Sequence, residues 1–223
     1  PRGNFLLRLS GWLVAKVLHL CFSEVSADFK SLSAMHRAFD SERDARFILA
    51  PTHRSLLDPL LLGYLSFAYP ELQIPTPSIA AADDFETIPI IGFLLRYVGA
   101  FFVERGRLSG DPGLSERVAA AIDASSSKGD AVEVFVEGTR SRDRRFCTAK
   151  TGVLRCLQEA GGRFVVVPLA ISYEKIPEQE LLIEEVSGGP RSELSLGALL
   201  VWLAVSVFML RSVCVRVQWL TSM

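Results

Sequence analysis

The sequence predicts a single α/β domain built on a mostly parallel or mixed sheet, with helices on both faces. A chain of 223 residues is long enough for one domain with a sizeable core. From residue 47 onward, short apolar runs alternate with stretches of helical periodicity, which is typical of parallel strands joined by helices. The run FVVVPLAISY is almost wholly apolar, as expected of a strand that is buried on both sides.

The first element is an apolar segment, residues 5–22, which includes Arg8 and Lys16. These charges disfavour a membrane span and suit a helix that lies in the plane of a membrane surface. We therefore assign residues 1–44 to an N-terminal amphipathic helical segment that contacts the membrane, and residues 45–223 to the α/β domain.

The remaining elements follow in order along the α/β domain. The predicted strands are 47–50, 78–81, 100–103, 131–136, 164–173 and 213–219. The predicted helices are 56–68, 89–98, 114–126, 151–160 and 192–210. Within the last helix, residues 194–210 are uncharged and reach the lower limit of length for crossing a bilayer. Because a strand follows directly, we favour a core or interfacial helix there, with a membrane span as the alternative.

Composition excludes several classes of function. Hydrophobic residues make up 49% and charged residues 22%, which suits a globular domain that touches a bilayer. A formal net charge of −1 gives no general attraction for nucleic acid. The four cysteines form no CxxC pair and the three histidines lack metal-ligand spacing. We expect free thiols in a reducing compartment and no metal site.

The stretch HRSLLD, residues 53–58, follows an apolar run and places His53 five positions before Asp58. Two residues five apart in one helix point in different directions, so His53 is expected before the helix, with Ser55 as its N-cap. Asp58 in the first turn could then hold one ring nitrogen and leave the other basic, as proton abstraction from an alcohol requires. The alternative is a capping box of Ser55 and Asp58 that only begins the helix.

Three further stretches could carry chemistry. FVEGTRSRDRR, residues 135–145, forms a positive loop whose guanidinium groups suit phosphate, with Glu137 orienting them; the alternative is a solvated basic loop. Arg105 follows the strand at 100–103, where a plain charge at the sheet edge is the alternative. VVVPLAISYEKIPE, residues 165–178, contains a buried strand; the alternative is that this strand only contributes to the hydrophobic core.

Taken together, the four stretches resemble the motifs of the glycerolipid acyltransferase family, which contains bacterial lysophosphatidate acyltransferases and glycerol-3-phosphate acyltransferases. The resemblance covers about residues 45 to 180. The matching positions are His53 and Asp58 for H-x4-D, Gly99, Phe102 and Arg105 for G-x-x-F-x-x-R, residues 137–142 for E-G-T-R-S-R, and Val167 and Pro168 for an apolar run ending in V-P.

The HRS-x-x-D form is similar to that of glycerol-3-phosphate and dihydroxyacetone-phosphate acyltransferases. It implies transfer of a fatty acyl chain from acyl-CoA, as co-substrate, to the sn-1 hydroxyl of one of these acceptors, with no cofactor. A lysophosphatidate acyltransferase is the alternative, and a non-catalytic lipid-binding module is a further one. The resemblance implies that His53 and Asp58 are catalytic. It implies that Arg105, Arg140 and Arg142 hold the acceptor phosphate, that Gly138 and Thr139 supply backbone or hydroxyl donors, and that Glu137 orients the arginines.

The implied partners are acyl-CoA, a phosphorylated glycerol-type acceptor and a membrane lipid surface, without nucleic acid. We expect a membrane-associated protein facing a reducing compartment; the sequence does not choose among mitochondrial, peroxisomal and endoplasmic reticulum membranes, nor does it give an oligomeric state. Because the chain begins at Pro1 and a strand runs almost to Met223, we expect it to be part of a longer protein. A hydrolase with a covalent nucleophile is the main rival, although no GxSxG motif occurs.

Overall fold

The computed structural model describes residues 5–42, 44–70, 76–82, 85–86, 92, 95–96, 100–103, 116, 120, 131–141, 145–161, 163–176, 178–189 and 214–219. The elements in chain order are α1 (Phe5–Cys21), β1 (Glu24–Ala27), α2 (Phe29–Ser41), β2 (Arg46–Pro51), α3 (Asp58–Ala68), β3 (Ser78–Ala82), β4 (Phe101–Val103), β5 (Val132–Glu133), α4 (Gly152–Ala160), β6 (Phe164–Tyr173), α5 (Gln179–Val186) and β7 (Cys214–Trp219).

The strands form one mixed sheet of seven, in the order β1-β7-β6-β2-β5-β3-β4. β6, β2, β5, β3 and β4 run parallel to one another, whereas β7 is antiparallel to β6 and β1 is parallel to β7. The predicted mixed α/β class is confirmed, and each of the six predicted strands corresponds to a strand of the sheet. β1 was not predicted, because its four residues, EVSA, carry neither a long apolar run nor clear alternation.

Helices cover both faces of the sheet, as predicted. Ile48 and Leu49 are neighbours in β2, point to opposite faces and are both fully buried. On the face of Leu49, the larger core also takes residues from α1, α2 and α3, among them Leu18, Leu32 and Leu65. On the face of Ile48, the smaller core contains Val132, Val134 and Cys156, the last of these from α4.

The prediction that β6 is buried on both sides is wrong. Val167, Leu169 and Ile171 are buried against the larger core, but Val166, which points to the other face, is 48% exposed. The reason is that the smaller core lies mainly over β2 and β5, and α4 leaves part of β6 uncovered. A strand of ten residues can therefore be apolar throughout while only one of its faces is packed.

The N-terminal segment joins the α/β fold through several contacts. α1 packs against α3, and β1 pairs with β7 in the register Glu24 to Cys214. The helix predicted at 5–22 is confirmed as α1, and the helices predicted at 56–68 and 151–160 are confirmed as α3 and α4. None of the helices in the described part of the chain is long and apolar enough to span a membrane. The membrane-contacting role of the terminal helices thus stays a prediction.

The helices predicted at 89–98 and 114–126 lie almost entirely outside the described residues. The helix predicted at 192–210 lies wholly outside them, so the core or interfacial helix and the alternative membrane span both stay predictions.

Candidate active site

The predicted site residues meet at one edge of the sheet. β2, β5 and β6 are adjacent and parallel, so their carboxyl ends lie side by side. His53 follows β2, Glu137 follows β5, and Tyr173 is the last residue of β6. Ligand sites in parallel α/β sheets form at this edge, because the loops that leave neighbouring strands converge there.

His53 and Asp58 contact each other directly. The Nδ1 atom of His53 lies 3.0 Å from Oδ2 of Asp58, and the imidazole is 15% exposed while the carboxylate is fully buried. When Nδ1–H donates to the carboxylate, the other ring nitrogen carries the lone pair and can accept a proton. The ring also packs on Phe135, with centroids 4.2 Å apart, which further restricts its orientation.

Asp58 also folds the turn that presents His53. Its Oδ2 accepts hydrogen bonds from the backbone amides of Arg54, at 2.5 Å, and Ser55, at 2.8 Å. The capping alternative is therefore partly right, since one carboxylate both organises the turn and holds the imidazole. The prediction that Ser55 is the N-cap is wrong: α3 begins at Asp58, and Leu57 occupies the cap position without a side-chain hydrogen bond.

Glu137 attaches the loop after β5 to the loop after β2. Its carboxylate, 5% exposed, accepts from the amide of His53 at 2.9 Å and from the amide of Cys147 at 2.9 Å. Ser141 makes a second link between the two loops, because its amide donates to the carbonyl of His53 at 3.1 Å. The sequence predicted that Glu137 orients arginines. Its hydrogen bonds from the amides of His53 and Cys147 instead position the backbone around the base.

Gly138 makes the turn between Glu137 and Arg140. Its φ of +66° lies in the left-handed region that favours glycine, and its amide donates to the carbonyl of Phe135 at 2.9 Å. A Cβ on Gly138 would lie 2.9 Å from Cδ of Lys150. Gly138 and Thr139 are exposed. The predicted backbone donor at Gly138 is thus already used within the turn, and the Thr139 hydroxyl is the side-chain donor that the turn offers.

Glu178 joins this loop to the start of α3. It is 1% exposed and accepts from Ser55 Oγ at 2.9 Å, from the Leu56 amide at 2.6 Å and from Arg140 Nη1 at 3.0 Å. Arg140 is thereby held with 23% of its side chain exposed. A guanidinium fixed through one nitrogen in this way can direct its other N–H groups at a phosphate oxygen.

Tyr173 and Glu133 are the ionisable groups that the site perturbs most clearly. Burial raises the pKa of the Tyr173 phenol well above its usual value, with further contributions from the charge of Asp58 and the hydrogen bond to it. Burial also raises the pKa of Glu133 well above its usual value, helped by the charge of Asp58. Neither carboxylate oxygen of Glu133 has a hydrogen-bond partner in the described part of the protein.

A cleft of about 200 Å³ is lined among others by Thr52, Arg54, Phe146 and Tyr173, which include chain neighbours of His53 and the phenol that contacts Asp58; neither His53 nor Asp58 lines it. Arg54 forms one wall: its guanidinium lies 4.5 Å from the ring centroid of Phe146 and donates to the carbonyl of Arg145 at 2.8 Å. The cleft combines a positive charge with apolar surface, which suits a ligand that has both an anionic and an apolar part.

The structure brings together most of the predicted site residues that it describes. His53, Asp58, Glu137, Gly138, Thr139 and Arg140 lie within one network or directly beside it. Arg105 and Arg142 lie outside the described residues, as does Gly99 of the second motif. Val167 and Pro168 lie in β6 beside Leu49 and Ala50, one strand away from the base.

Sequence reasoning missed Tyr173 and Glu178 as members of the site. Tyr173 could have been found, because it is a polar residue ending a buried parallel strand whose neighbours also end in site residues. A lone Glu178 five residues further on resembles any surface glutamate in sequence. Cys147 was also not expected near His53; both of their amides bind the same carboxylate.

The arrangement can perform base-assisted attack by a hydroxyl group. It supplies a histidine that is held by a buried carboxylate, a guanidinium in the same hydrogen-bonded network and an exposed turn with the Thr139 hydroxyl. These parts are what a reaction needs if it deprotonates an alcohol and binds an anionic group on the same molecule.

Comparisons with known proteins agree with this chemistry. The model of the Acyltransferase family matches residues 33–172. The chain is 34% identical over 200 residues to a dihydroxyacetone phosphate acyltransferase from Homo sapiens, covering 87% of this chain and 28% of that protein. It is 36% identical over 154 residues to a glycerol-3-phosphate acyltransferase from Pseudomonas savastanoi pv. phaseolicola, covering 67% of this chain and 18% of that protein. The chain thus spans less than a third of the length of either relative.

Among solved structures, the chain aligns with the 1-acyl-sn-glycerophosphate acyltransferase PlsC from Thermotoga maritima. The alignment covers 96% of this chain and 84% of that protein, with a TM-score of 0.43 and 16% sequence identity.

Proposed function

The chain belongs to the acyltransferase family, and from this premise we propose that it transfers a fatty acyl chain from acyl-CoA to the sn-1 hydroxyl of glycerol 3-phosphate or dihydroxyacetone phosphate. One observation carries the proposal: the buried Asp58 carboxylate holds His53, and the 137–141 loop is bonded to the same histidine backbone. The relatives named as dihydroxyacetone phosphate and glycerol-3-phosphate acyltransferases support this choice of acceptor.

In the proposed mechanism, His53 is the general base. Its Nε2 removes the proton from the acceptor hydroxyl while that oxygen attacks the thioester carbonyl of acyl-CoA. The tetrahedral intermediate collapses, the C–S bond breaks, and the CoA thiolate takes up the proton from the imidazolium. The products are the acyl ester of the acceptor and free CoA. A positioned base of this kind contributes about 10²–10⁴ in rate, and binding both substrates in register contributes more.

Arg140 is proposed to bind the phosphate of the acceptor, together with the exposed Thr139 hydroxyl, while Gly138 shapes the turn that carries both residues. The guanidinium is already held by Glu178, so little side-chain freedom is lost when phosphate binds. Arg140→Ala is therefore expected to raise KM for the phosphorylated acceptor by about tenfold or more and to change KM for acyl-CoA little. Equal increases for both substrates would remove this role from Arg140.

The acceptor is tested with purified protein, one acyl-CoA and three acceptors: glycerol 3-phosphate, dihydroxyacetone phosphate and lysophosphatidate. The mass of the product identifies the reaction. We expect products from one or both of the first two acceptors. Product from lysophosphatidate alone would make the protein an sn-2 acyltransferase, and binding without product would leave the lipid-binding module as the better description.

Direct transfer is distinguished from a covalent mechanism by Cys147. Because its amide shares Glu137 with the His53 amide, Cys147 is the cysteine to test as an acyl-accepting nucleophile. We expect Cys147→Ser to keep near-normal turnover and labelled acyl-CoA to leave no label on the protein. Loss of activity in Cys147→Ser, together with labelling of the wild type, would replace the direct mechanism by a covalent one.

We also propose that α1 lies on a lipid surface. Leu9, Trp12 and Leu13 are 39%, 51% and 47% exposed, and with Lys16 they follow the spacing of one helical stripe. The Lys16 Nζ atom lies 5.6 Å from the Trp12 ring centroid, so the stripe combines apolar area, an aromatic ring and a cation, as interfacial helices do. The four cysteines, all in the described part of the chain, form no disulfide with one another, which supports a membrane that faces a reducing compartment.

Flotation with vesicles of phosphatidylcholine and phosphatidylglycerol tests the α1 surface. The double variant Trp12→Glu with Leu13→Glu is expected to lose most vesicle binding. The matched control is Ile183→Glu with Val186→Glu on α5, where the side chains are 50% and 58% exposed. If both double variants floated equally well, α1 would not be the lipid-binding element.

A further inference from the structure

The two oxygens of Asp58 have different partners. Oδ2 accepts from His53 and from the amides of Arg54 and Ser55, whereas Oδ1 accepts from the phenol of Tyr173 at 2.5 Å. We propose that Tyr173 is a positioning residue for the base: its hydroxyl fixes Oδ1 of Asp58, so that the carboxylate presents Oδ2 to the imidazole and cannot rotate.

The fold holds the Tyr173 hydroxyl rigidly. Tyr173 is the last residue of β6, and its Cα is paired with that of Val215 in β7. Its ring packs on Phe22, which follows α1, with centroids 5.8 Å apart. The phenol therefore reaches Asp58 from a strand that packs on the end of a helix, while the other partners of Asp58 come from the turn 53–57 that precedes α3. A rigid donor is what an orienting group requires.

Tyr173 acts as a donor throughout the working pH range. Burial and the neighbouring charges of Asp58 and Glu178 raise the pKa of its phenol well above the usual value, so the proton stays on the oxygen. A neutral donor on Oδ1 withdraws negative charge from Asp58. Because Asp58 stabilises the protonated imidazole through this same charge, the Tyr173 bond limits how tightly His53 holds a proton.

Other charges surround the pair and remain when Tyr173 is changed. Glu133 of β5 contributes a buried carboxyl. It is paired with Leu49 of β2, whose side chain lies in the larger core, so Glu133 points to the face of the sheet that α3 covers. Glu178 lies between Ser55 and Arg140. Arg54 and Glu137 lie beside the His53 backbone. A change of Tyr173 to Phe removes the hydrogen bond from the phenol to Asp58 and leaves these charged groups in place.

The proposal rests on His53 being the base of the proposed reaction, and its test uses two readouts. The first is the pH dependence of kcat/KM for Tyr173→Phe. In this variant no phenol withdraws negative charge from the Asp58 carboxylate, so the His53 imidazole is protonated more readily. We expect the acidic limb to move to higher pH by about half a unit to one unit, and kcat to fall about tenfold, with both KM values nearly unchanged.

The second readout is an NMR titration of the His53 ring in the same variant, assigned by comparison with His53→Gln. It does not depend on which reaction the protein catalyses. We expect the midpoint to move to higher pH in Tyr173→Phe, and to stay in place in Tyr69→Phe, which alters a phenol whose ring packs on Phe29 instead. Replacing Tyr173 by 3-fluorotyrosine strengthens the donor, and we expect the opposite shift from it.

The two proposals can fail separately. If the wild type transfers no acyl chain to any acceptor but the midpoint still moves in Tyr173→Phe, the proposed function fails and the positioning role stands. If Tyr173→Phe loses activity while midpoint and acidic limb stay in place, Tyr173 is merely structural and the inference is overturned. Should Tyr173→Phe fail to fold, the 3-fluorotyrosine protein decides the matter: no downward shift would overturn the proposal.

Discussion

Nη1 of Arg140 lies 3.0 Å from Oε1 of Glu178, and the same carboxylate also binds Ser55 and Leu56 at the start of α3. Glu178 thereby connects a residue proposed to bind phosphate with the turn that presents the base. Binding of a phosphate at Arg140 and the position of His53 are thus parts of one hydrogen-bonded network.

The coupling between Arg140 and Glu178 is expected to exceed that of a surface ion pair. In a double-mutant cycle with Arg140→Ala and Glu178→Ala, we expect a coupling free energy of about 1.5–3 kcal/mol, since Glu178 is buried and charged. The matched pair is Arg163 and Glu42, whose side chains are 64% and 33% exposed. For this pair we expect less than about 1 kcal/mol.

Denaturant unfolding of the wild type and the six variants of the two cycles measures both couplings. Equal coupling energies for the two pairs would mean that Glu178 and Arg140 are not connected in the way the structure indicates.

Glu133 is expected to make the protein less stable as pH rises. Its raised pKa means that the folded protein keeps this proton at pH values where the unfolded chain has released it. Because the folded state then binds more protons, the free energy of unfolding falls with pH above the ordinary range of glutamate, by up to about 1.4 kcal/mol per pH unit.

Glu133→Gln removes this dependence, so we expect a flatter curve of stability against pH and a more stable protein at neutral pH. Urea unfolding across the pH range measures it, with Glu184→Gln on the exposed side of α5 as the control. A Glu133→Gln curve that runs parallel to the wild type would show that this carboxyl keeps the same charge in both states.

Gly138→Ala is expected to impair the 137–141 loop. A side chain at φ +66° costs about 1–2 kcal/mol, and its Cβ would push against Lys150. We expect lower stability and a marked rise in KM for the acceptor. Gly161→Ala is the control, because Gly161 has a similar φ of +71° but no atom within 4 Å of the added Cβ, and lies far along the chain from the loop.

Gly161→Ala is expected to lose comparable stability and to keep the acceptor KM. If the two alanine variants had the same kinetics, the shape of the Gly138 turn would not matter for binding the acceptor.

Much of the fold followed from patterns that sequence carries directly. The apolar runs that correspond to β2, β5 and β6 were long or β-branched enough to be recognised, and their parallel order placed His53 and Glu137 at one edge. β1 was not recognisable, because its four residues are stabilised by pairing with β7, 190 positions later in the sequence. Such non-local pairing leaves little trace in local composition.

The site was predicted as far as its residues lie in short motifs. His53 with Asp58 could be paired by spacing, and the 137–142 loop could be recognised by its arginines. The bonds from Tyr173 to Asp58 and from Glu178 to Arg140 could not, because they depend on how β6 and α5 meet α3 in space. Spacing also gave Ser55 the wrong role: the N-terminus of α3 is set by Asp58, while Ser55 donates its hydroxyl to Glu178.

The most direct test of the central claim is the rate of acyl transfer by purified His53→Ala, measured beside His36→Ala. His36 forms a comparable pair with Asp40 on α2, with Nε2 3.3 Å from Oδ2, but α2 contributes no residue to the site network. We expect His53→Ala to lose about 10²–10⁴ in kcat or more while its melting temperature stays close to that of the wild type, and His36→Ala to remain active. Near-normal turnover by folded His53→Ala would contradict the account.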